Sequence, residues 1–306
     1  MPLIYSIIAP LIIISSFAIY QGEAFTAIET ARLLQNCMLI AGIGTLLQLY
    51  PIRKIGSGLP VVMGISFTFL AACLATASQD YGIMVGAIIV GGCFEGVLGL
   101  TAKYWRKIIS PIVSACVVVS IGLSILNVGV SSFGSSSAYP LGSWQNLLVA
   151  TITLAAALSG SVFGCSPITS FSQNVGLISM THVVNRFTIM FGALAMILGG
   201  LFPPIGAFFT TLPDCVLGGC TVIMFGSIMM SGVRMMHDAG MDQRNTLIAA
   251  TSICLGVGVT QVDGFFNELP SFIGDIFAGN MVAGVFVVGL ILDLCLPRDH
   301  SHYTSM

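Results

Sequence analysis

Long apolar runs, separated by short polar connections, dominate the hydropathy pattern of this chain. An α-helix needs ~20 predominantly apolar residues to cross a bilayer. Runs that approach or exceed this length fall near 3–20, 29–49, 58–77, 82–102, 109–130, 144–163, 186–210, 215–235, 245–262 and 277–297. Because apolar and polar residues do not alternate within them, the runs favour membrane-spanning helices over the strands of a membrane β-barrel.

One passage breaks this pattern, because it is polar although long apolar runs flank it. Residues 165–182 combine Ser, Thr, Asn and Gln side chains with one proline and one glycine. A second interrupted run, IGSGLPVVMGISFTFL at 55–70, also mixes glycine, serine and proline with apolar residues. Paired interrupted segments in two halves of a chain indicate a transporter built from inverted repeats, with its binding site where the segments meet.

Composition supports the membrane interpretation. Of 306 residues, 56% are hydrophobic and 7% are charged, and the mean hydropathy is +1.00. A soluble domain carries roughly 25% charged residues, so this chain cannot cover a water-facing surface. We therefore expect an all-α polytopic membrane protein, with one membrane domain over 1–306 and a cytoplasmic tail at 298–306.

Several classes of function are disfavoured by what the sequence lacks. The net charge is -2 and no basic cluster occurs, so we expect no nucleic-acid partner. Nine cysteines lie mostly inside apolar runs without a CxxC motif, which favours small buried side chains over disulfides or metal ligands. No Ser-His-Asp set, HExxH motif or Walker loop is found, so we expect neither an enzyme nor a cofactor or metal site.

Basic residues predict the topology up to one point. Cytoplasmic loops collect Lys and Arg, and the connections at 78–81, 131–143, 211–214 and 263–276 contain neither. Both chain ends are then cytoplasmic. If 165–182 crossed fully, however, Arg186 and every later basic loop would lie outside. Either 165–182 is re-entrant, or an odd number of spans is missing between about 160 and 165.

Candidate binding residues lie in the two interrupted segments. Gln173 and Asn174 each offer carboxamide donors and an acceptor, which match the edge of a nucleobase. They could instead join helices or cap a half-helix. Ser66 and Phe67 could supply backbone N–H groups and an aromatic face to a flat ring, although a phenylalanine in a span more often packs or faces lipid.

Two acidic residues lie within the apolar runs. A carboxylate inside a membrane is costly and is a functional candidate by default. Glu95, in GGCFEGVLG, could relay a proton or could stay neutral against a glycine-rich packing face. Asp293 lies closer to the end of its run, and we expect it to reach the interface.

At Gln173 the chain resembles a known family. QNVGLISMT (173–181) is similar to the signature of the nucleobase–ascorbate transporters, also called nucleobase–cation symporter 2, and Gln in its first position resembles the xanthine and uric acid permeases. Further similar stretches are GIGTLLQ (42–48), IGSGLPVVMGISFTF (55–69), ISPIVSACVVVSIGLSI (109–125), GGLFPPIGAFFTTLPDCVLGG (199–219) and MFGSI (224–228).

The resemblance implies fourteen spans in two inverted repeats of seven, with a midplane site alternately exposed by a core domain that moves against a gate domain. Residues 1–163 match the first six spans, and 164–297 match spans ten to fourteen. Short strands from the spans at 58–77 and 165–182 would cross near the site. Gln173 and Asn174 would contact the purine, Ser66 and Phe67 would line the opposite wall, and Gly176 and Thr181 would be structural.

The chain also departs from the family pattern. About three spans of the family, the seventh to the ninth, have no counterpart in this chain. The eighth span of family members carries a glutamate that holds the nucleobase, and no residue of this chain matches it. The resemblance implies proton-coupled symport of a purine such as xanthine or uric acid across the cytoplasmic membrane. Contacts in a homodimer, or another acid such as Glu95, could replace what is lost. The alternative is a remnant that does not transport.

Overall fold

The structure, a computed structural model, describes residues 26–52, 58, 62–64, 81–105, 108–136, 139–162, 186–262, 265–266, 274, 276–277 and 280–297. The predicted spans at 3–20 and 165–182 lie outside this described part, as does most of 58–77. The short strands expected from the spans at 58–77 and 165–182 therefore stay predictions.

α-Helices make up most of the described residues, and no β-strand occurs among them. In chain order they are α1 (Ala27–Leu49), α2 (Tyr81–Trp105), α3 (Pro111–Ser124), α4 (Leu126–Gly134), α5 (Trp144–Val162), α6 (Arg186–Leu201), α7 (Pro203–Thr210), α8 (Asp214–Asp238), α9 (Gln243–Gln261) and α10 (Met281–Cys295). Five of them, α1, α2, α5, α8 and α9, begin and end within a few residues of the predicted apolar runs.

By length and composition, four helical stretches in the described part can cross a membrane: Ile28–Leu49, Gly82–Thr101, Pro111–Gly134 and Asp214–Asp238. A bent pair formed by α6 and α7 would make a fifth. The prediction of a helical membrane protein is thereby confirmed at the level of fold class.

The predicted run at 186–210 forms two helices joined by a sharp bend. Helix α6 ends at Leu201, and α7 continues at an angle of 95° to it. Phe202 between them is extended, with φ -98° and ψ 105°, and Pro203 opens α7. A proline has no N–H to continue the preceding helix, and its ring fits the first helical position, so Pro203 ends one helix and starts the next.

The chain divides into two compact units, which are described separately. Unit 1 comprises Met1–Met84 and Ile125–Ile228, and unit 2 comprises Val85–Ser124 and Met229–Met306. Because α8 runs through residue 228, its first part belongs to unit 1 and its last part to unit 2.

In unit 1, α1 packs closely against α6 through glycines. A Cβ atom on Gly42 would lie 2.8 Å from the carbonyl oxygen of Ala193, and one on Gly200 would lie 2.8 Å from that of Gln35. Small residues let two backbones approach this closely within a membrane. Leu34 and Met38 of α1 are buried in a separate cluster, against which Phe209 of α7 and Leu217 of α8 pack.

A buried asparagine organises the connection between α4 and α5. The Asn146 carboxamide donates to the carbonyl oxygen of Gly134 at 2.9 Å and to that of Pro140 at 3.2 Å, and it accepts a bond from the Ser136 hydroxyl at 2.7 Å. Gly142 has a positive φ of 77° and donates its N–H to Gly134 at 2.9 Å. Asn146 thus satisfies the backbone carbonyls that the end of α4 and the turn leave free.

Unit 2 has its own apolar core, formed by α3, α9, α10 and the last part of α8. Its buried residues are Ile112, Val113, Ala115, Cys116, Val119, Met236, Ile248, Ala249 and Val285. Glycines again set the closest helix contacts: a Cβ on Gly232 would lie 2.7 Å from the Val119 nitrogen, and one on Gly256 would overlap Val285. This core holds the carboxyl-terminal helices together.

Candidate functional site

Most of the predicted binding residues lie outside the described part of the chain. This holds for Ser66 and Phe67 in the first interrupted segment, and for Gln173, Asn174, Gly176 and Thr181 in the second. Their roles stay predictions. The structure does describe the elements from which these segments emerge, namely the stretch that ends at Gly64 and helix α6, which begins five residues after Thr181.

The approach to Ser66 and Phe67 folds back along the carboxyl-terminal half of α1. The Gly58 N–H donates to the carbonyl oxygen of Gln48 at 3.0 Å, where Gly58 has a φ of 69°. Only glycine adopts that backbone conformation without strain. Further along, the Met63 N–H donates to the Thr45 hydroxyl at 2.9 Å. The stretch is therefore bonded to α1 at two points.

Apolar packing fixes the same stretch. Val62 is buried and packs with Ala41 on α1 and Met196 on α6, and Ile189 lies against this cluster. The Met63 side chain, in contrast, is 40% exposed. The stretch at 62–64 thus inserts the Val62 side chain between α1 and α6, two to four residues before the predicted wall residues in the sequence.

Thr45 is a residue that sequence reasoning missed. It is fully buried in α1, its hydroxyl lies 2.7 Å from the Ala41 carbonyl oxygen, and it accepts the Met63 N–H. The available signal was weak, since a single threonine in GIGTLLQ ordinarily bonds only to its own helix. The bond to a segment eighteen residues away is a tertiary contact.

Glu95 lies in the middle of α2, and its side chain is exposed. Four glycines near it in α2 also lack close neighbours. If a Cβ atom were added to any one of them, no described atom would lie within 4 Å of it: Gly91, Gly92, Gly96 and Gly99. Within the described residues, Glu95 has no hydrogen bond or ion pair. The structure thus shows neither the proton relay nor the packed glycine face, and both interpretations stay predictions.

Asp293, which was expected to reach the membrane interface, lies in the last turn of α10, and its place relative to the bilayer stays a prediction. Its carboxylate is fully buried and forms an ion pair with Arg244, whose nitrogen Nη2 lies 2.8 Å from Oδ1. The same guanidinium donates to the carbonyl oxygens of Asp293 and Leu296 at the end of α10. The guanidinium gives the buried carboxylate a partner, which matters because burying an unpaired charge costs much free energy. No three metal-ligating side chains converge among the described residues.

The sequence model of the Permease family matches this chain at residues 5–163 and 156–265. The two matched segments meet at 156–163, immediately before the polar passage at 165–182. Together they cover well over half of the chain.

Named relatives agree with this match. Xanthine permease XanQ of Escherichia coli (strain K12) is 25% identical over 409 residues, covering 92% of this chain and 88% of the relative. Xanthine permease XanP of the same organism is 24% identical over 413 residues, covering 94% and 89%. Xanthine permease of Bacillus subtilis (strain 168) is 27% identical over 395 residues, covering 92% and 88%.

The lengths of these alignments are informative. The XanQ alignment runs over 409 positions, whereas this chain has 306 residues. The difference means that at least 103 alignment positions have no residue of this chain opposite them. From the family match, the relatives and the apolar helices together, the chain is a multi-pass membrane protein of the nucleobase–ascorbate transporter (Permease) family and is not an enzyme.

Proposed function

We propose that this chain is a secondary active transporter that moves a purine nucleobase, such as xanthine or uric acid, across the cytoplasmic membrane. The observation that carries the proposal is similarity to xanthine permeases along more than nine-tenths of the chain. The QNVGLISMT passage supports the same substrate class, because its paired carboxamides match the donors and acceptors of a purine edge.

In the proposed site, Gln173 and Asn174 form hydrogen bonds with the purine, while Phe67 stacks on its ring and Ser66 lines the same wall. Gly176 and Thr181 shape the half-helix that carries the two carboxamides. A planar heterocycle is recognised here without any charged side chain, which suits a site inside a membrane.

We further propose that the chain retains inverted-repeat architecture within one membrane domain and has lost about three spans. Three crossings of ~20 residues with their connections need most of 100 residues. The 103 or more unmatched alignment positions support this number, and the meeting of the two family matches at 156–163 supports the location. Both chain ends are cytoplasmic in this proposal, and homodimer contacts replace part of the lost packing.

Uptake of labelled xanthine and urate tests the function directly. In cells that lack their own purine permeases, the chain is expected to raise uptake, and Gln173→Ala is expected to lower it roughly tenfold or more, since two hydrogen bonds to the purine are lost. Gln261→Ala is the matched control, because Gln261 is an exposed carboxamide at the end of α9. Uptake by the unmodified chain no higher than by Gln173→Ala contradicts the proposal and favours the remnant that does not transport.

Coupling is proposed to use protons, with Glu95 as the group that binds and releases them. Glu95→Gln keeps the size of the side chain but cannot ionise. We expect it to abolish xanthine accumulation driven by an imposed pH gradient while exchange of internal for external xanthine continues. Vesicle assays with a pH gradient or a sodium gradient measure this. Accumulation by Glu95→Gln equal to that of the unmodified chain rules out Glu95, and accumulation driven by sodium alone rules out protons.

A further inference from the structure

We propose that α7 (Pro203–Thr210) is an interfacial helix, which lies in the plane of the membrane and sets its exposed apolar side chains among lipid acyl chains next to the headgroups. Length and composition alone allow the bent pair of α6 and α7 to be either one broken span or a segment that does not cross. The placement of α7 does not depend on which solute the protein moves.

The contacts of α7 with α1 show how far the chain advances along unit 1. Helix α6 meets α1 near its own end, since a Cβ on Gly200 would lie 2.9 Å from the Leu39 nitrogen. Nine residues later in the sequence, Phe209 packs against Leu34 and Met38 of the same stretch of α1. The chain therefore stops advancing along α1 once α6 ends, and α7 runs across it at 95° to α6.

The same stretch of α1 is where polar residues give way to apolar ones. Thr26 and Glu29 form a capping box at the start of α1, and Arg32 is exposed. Residues 33–49 contain no charged side chain. Charged side chains avoid the hydrocarbon region, so the boundary between headgroups and acyl chains lies close to Arg32. The two α1 residues that contact α7 lie ~3 and ~9 Å past Arg32 along the helix axis, which is the depth of an interfacial helix.

The surface that α7 and the preceding turn leave uncovered is apolar. Residues 187–213 contain no charged side chain. Within them the exposed large side chains around the bend are Leu201, Phe202, Ile205 and Phe208. With no charge to pair with a polar partner, this surface fits acyl chains.

The backbone at the start of α7 leaves no N–H group in need of water. The four N–H positions from the N-cap residue onward have no partner within a helix. Here the Phe202 N–H donates to the Leu198 carbonyl oxygen at 3.1 Å, and the Ile205 N–H donates to that of Phe202 at 3.1 Å. The two residues between them, Pro203 and Pro204, have no N–H.

Two hydroxyls close the other end of α7 in the same way. Thr210 donates its hydroxyl to the Ala207 carbonyl oxygen at 2.8 Å, and Thr211 donates its hydroxyl to that of Phe208 at 2.7 Å. On an aqueous surface water would bond to such carbonyl oxygens, whereas lipid offers no donor. The internal bonds at both ends therefore favour lipid, rather than water, around α7.

Tryptophan fluorescence in vesicles measures the depth of α7. Replacing Trp105 and Trp144, the two tryptophans of the chain, by phenylalanine removes the background. Phe208→Trp is then reconstituted in phosphatidylcholine vesicles whose acyl chains carry bromine either near the headgroup or near the methyl end. We expect the shallow bromine to quench this tryptophan at least about twofold more strongly than the deep bromine.

Phe191→Trp in the same background is the matched control. The two phenylalanines are similarly exposed, at 66% for Phe191 and 63% for Phe208. Phe191 lies ten residues before the end of α6 at Leu201, which is ~15 Å along the helix. The deep bromine should therefore quench Phe191→Trp more strongly than the shallow bromine does.

Quenching of Phe208→Trp by the deep bromine that equals or exceeds quenching by the shallow one overturns the interfacial placement. Quenching by neither, while Phe191→Trp is quenched, overturns the contact with lipid. Aqueous iodide then identifies what lies there: strong iodide quenching shows water, and weak quenching shows protein, such as a second copy of the chain. Phe202→Trp, on the same exposed surface, replaces Phe208→Trp if that variant does not purify as a monodisperse protein.

Discussion

Replacing Arg244 by leucine is expected to lower the free energy of unfolding by about 3–5 kcal/mol, the usual cost of removing one partner from a buried ion pair. Arg244 is 18% exposed at its side chain, whereas the carboxylate of Asp293 is completely buried. The substitution leaves a buried charge without its cation. It also removes the donors to the Asp293 and Leu296 carbonyl oxygens that end α10.

Asp293→Asn should cost less than Arg244→Leu, about 1–3 kcal/mol, since the guanidinium keeps its bonds to the two carbonyl oxygens and some contact with solvent. The double variant should lose less unfolding free energy than the sum of the two single losses, because both members of the ion pair are then removed together. Unfolding of the purified protein in mixed micelles with increasing dodecyl sulfate measures all three. Arg186→Leu, at the exposed start of α6, is the control and should change stability by less than about 0.5 kcal/mol.

An Arg244→Leu variant as stable as the control would contradict this account. Equal losses for Arg244→Leu and Asp293→Asn would also contradict it, because the Asp293 carboxylate is completely buried whereas the Arg244 side chain is 18% exposed. A double variant whose loss equals the sum of the single losses would show that the two side chains do not interact.

The sequence was sufficient for the elements that length and hydropathy determine. The runs at 29–49 and 245–262 correspond to helices Ala27–Leu49 and Gln243–Gln261, because a continuous apolar run in a bilayer has no alternative to a helix. The bend after Leu201 was missed, since hydropathy continues unchanged through FPPIGAFF and carries no information on chain direction. The two adjacent prolines were the signal that could have identified it.

Contacts between residues that are distant in sequence could not be predicted from hydropathy and run length. Arg244 and Asp293 are 49 positions apart, and the burial of Asp293 follows from that partner rather than from its place near a run's end. Thr45 likewise bonds to a segment that is not its neighbour in sequence. For the candidate site, residue types alone left Gln173 and Asn174 with structural alternatives, and the resemblance to a family supplied their proposed roles.

Gly218→Ala is expected to be among the most destabilising single-methyl changes in the described part of the chain. A Cβ at Gly218 in α8 would overlap backbone atoms of Ser132 and Phe133 in α4. Backbone atoms cannot rotate away as a side chain can, so the two helices must separate. Overpacking of this kind costs about 1–3 kcal/mol and occasionally more, and we expect the upper end of that range.

The same helix supplies both a graded comparison and a control. At Gly219 a Cβ would lie 2.8 Å from the Ala150 carbonyl oxygen, so Gly219→Ala should cost less than Gly218→Ala but still destabilise. At Gly226 no described atom lies within 4 Å, and alanine there should be neutral or stabilising by up to about 1 kcal/mol through its helix propensity. Thermal unfolding in detergent ranks the three variants. If Gly226→Ala lowers the thermal stability as much as Gly218→Ala does, the close approach of α8 to α4 is wrong. If Gly218→Ala is the most destabilising and Gly226→Ala the least, small residues, rather than apolar volume, determine how closely these helices pack.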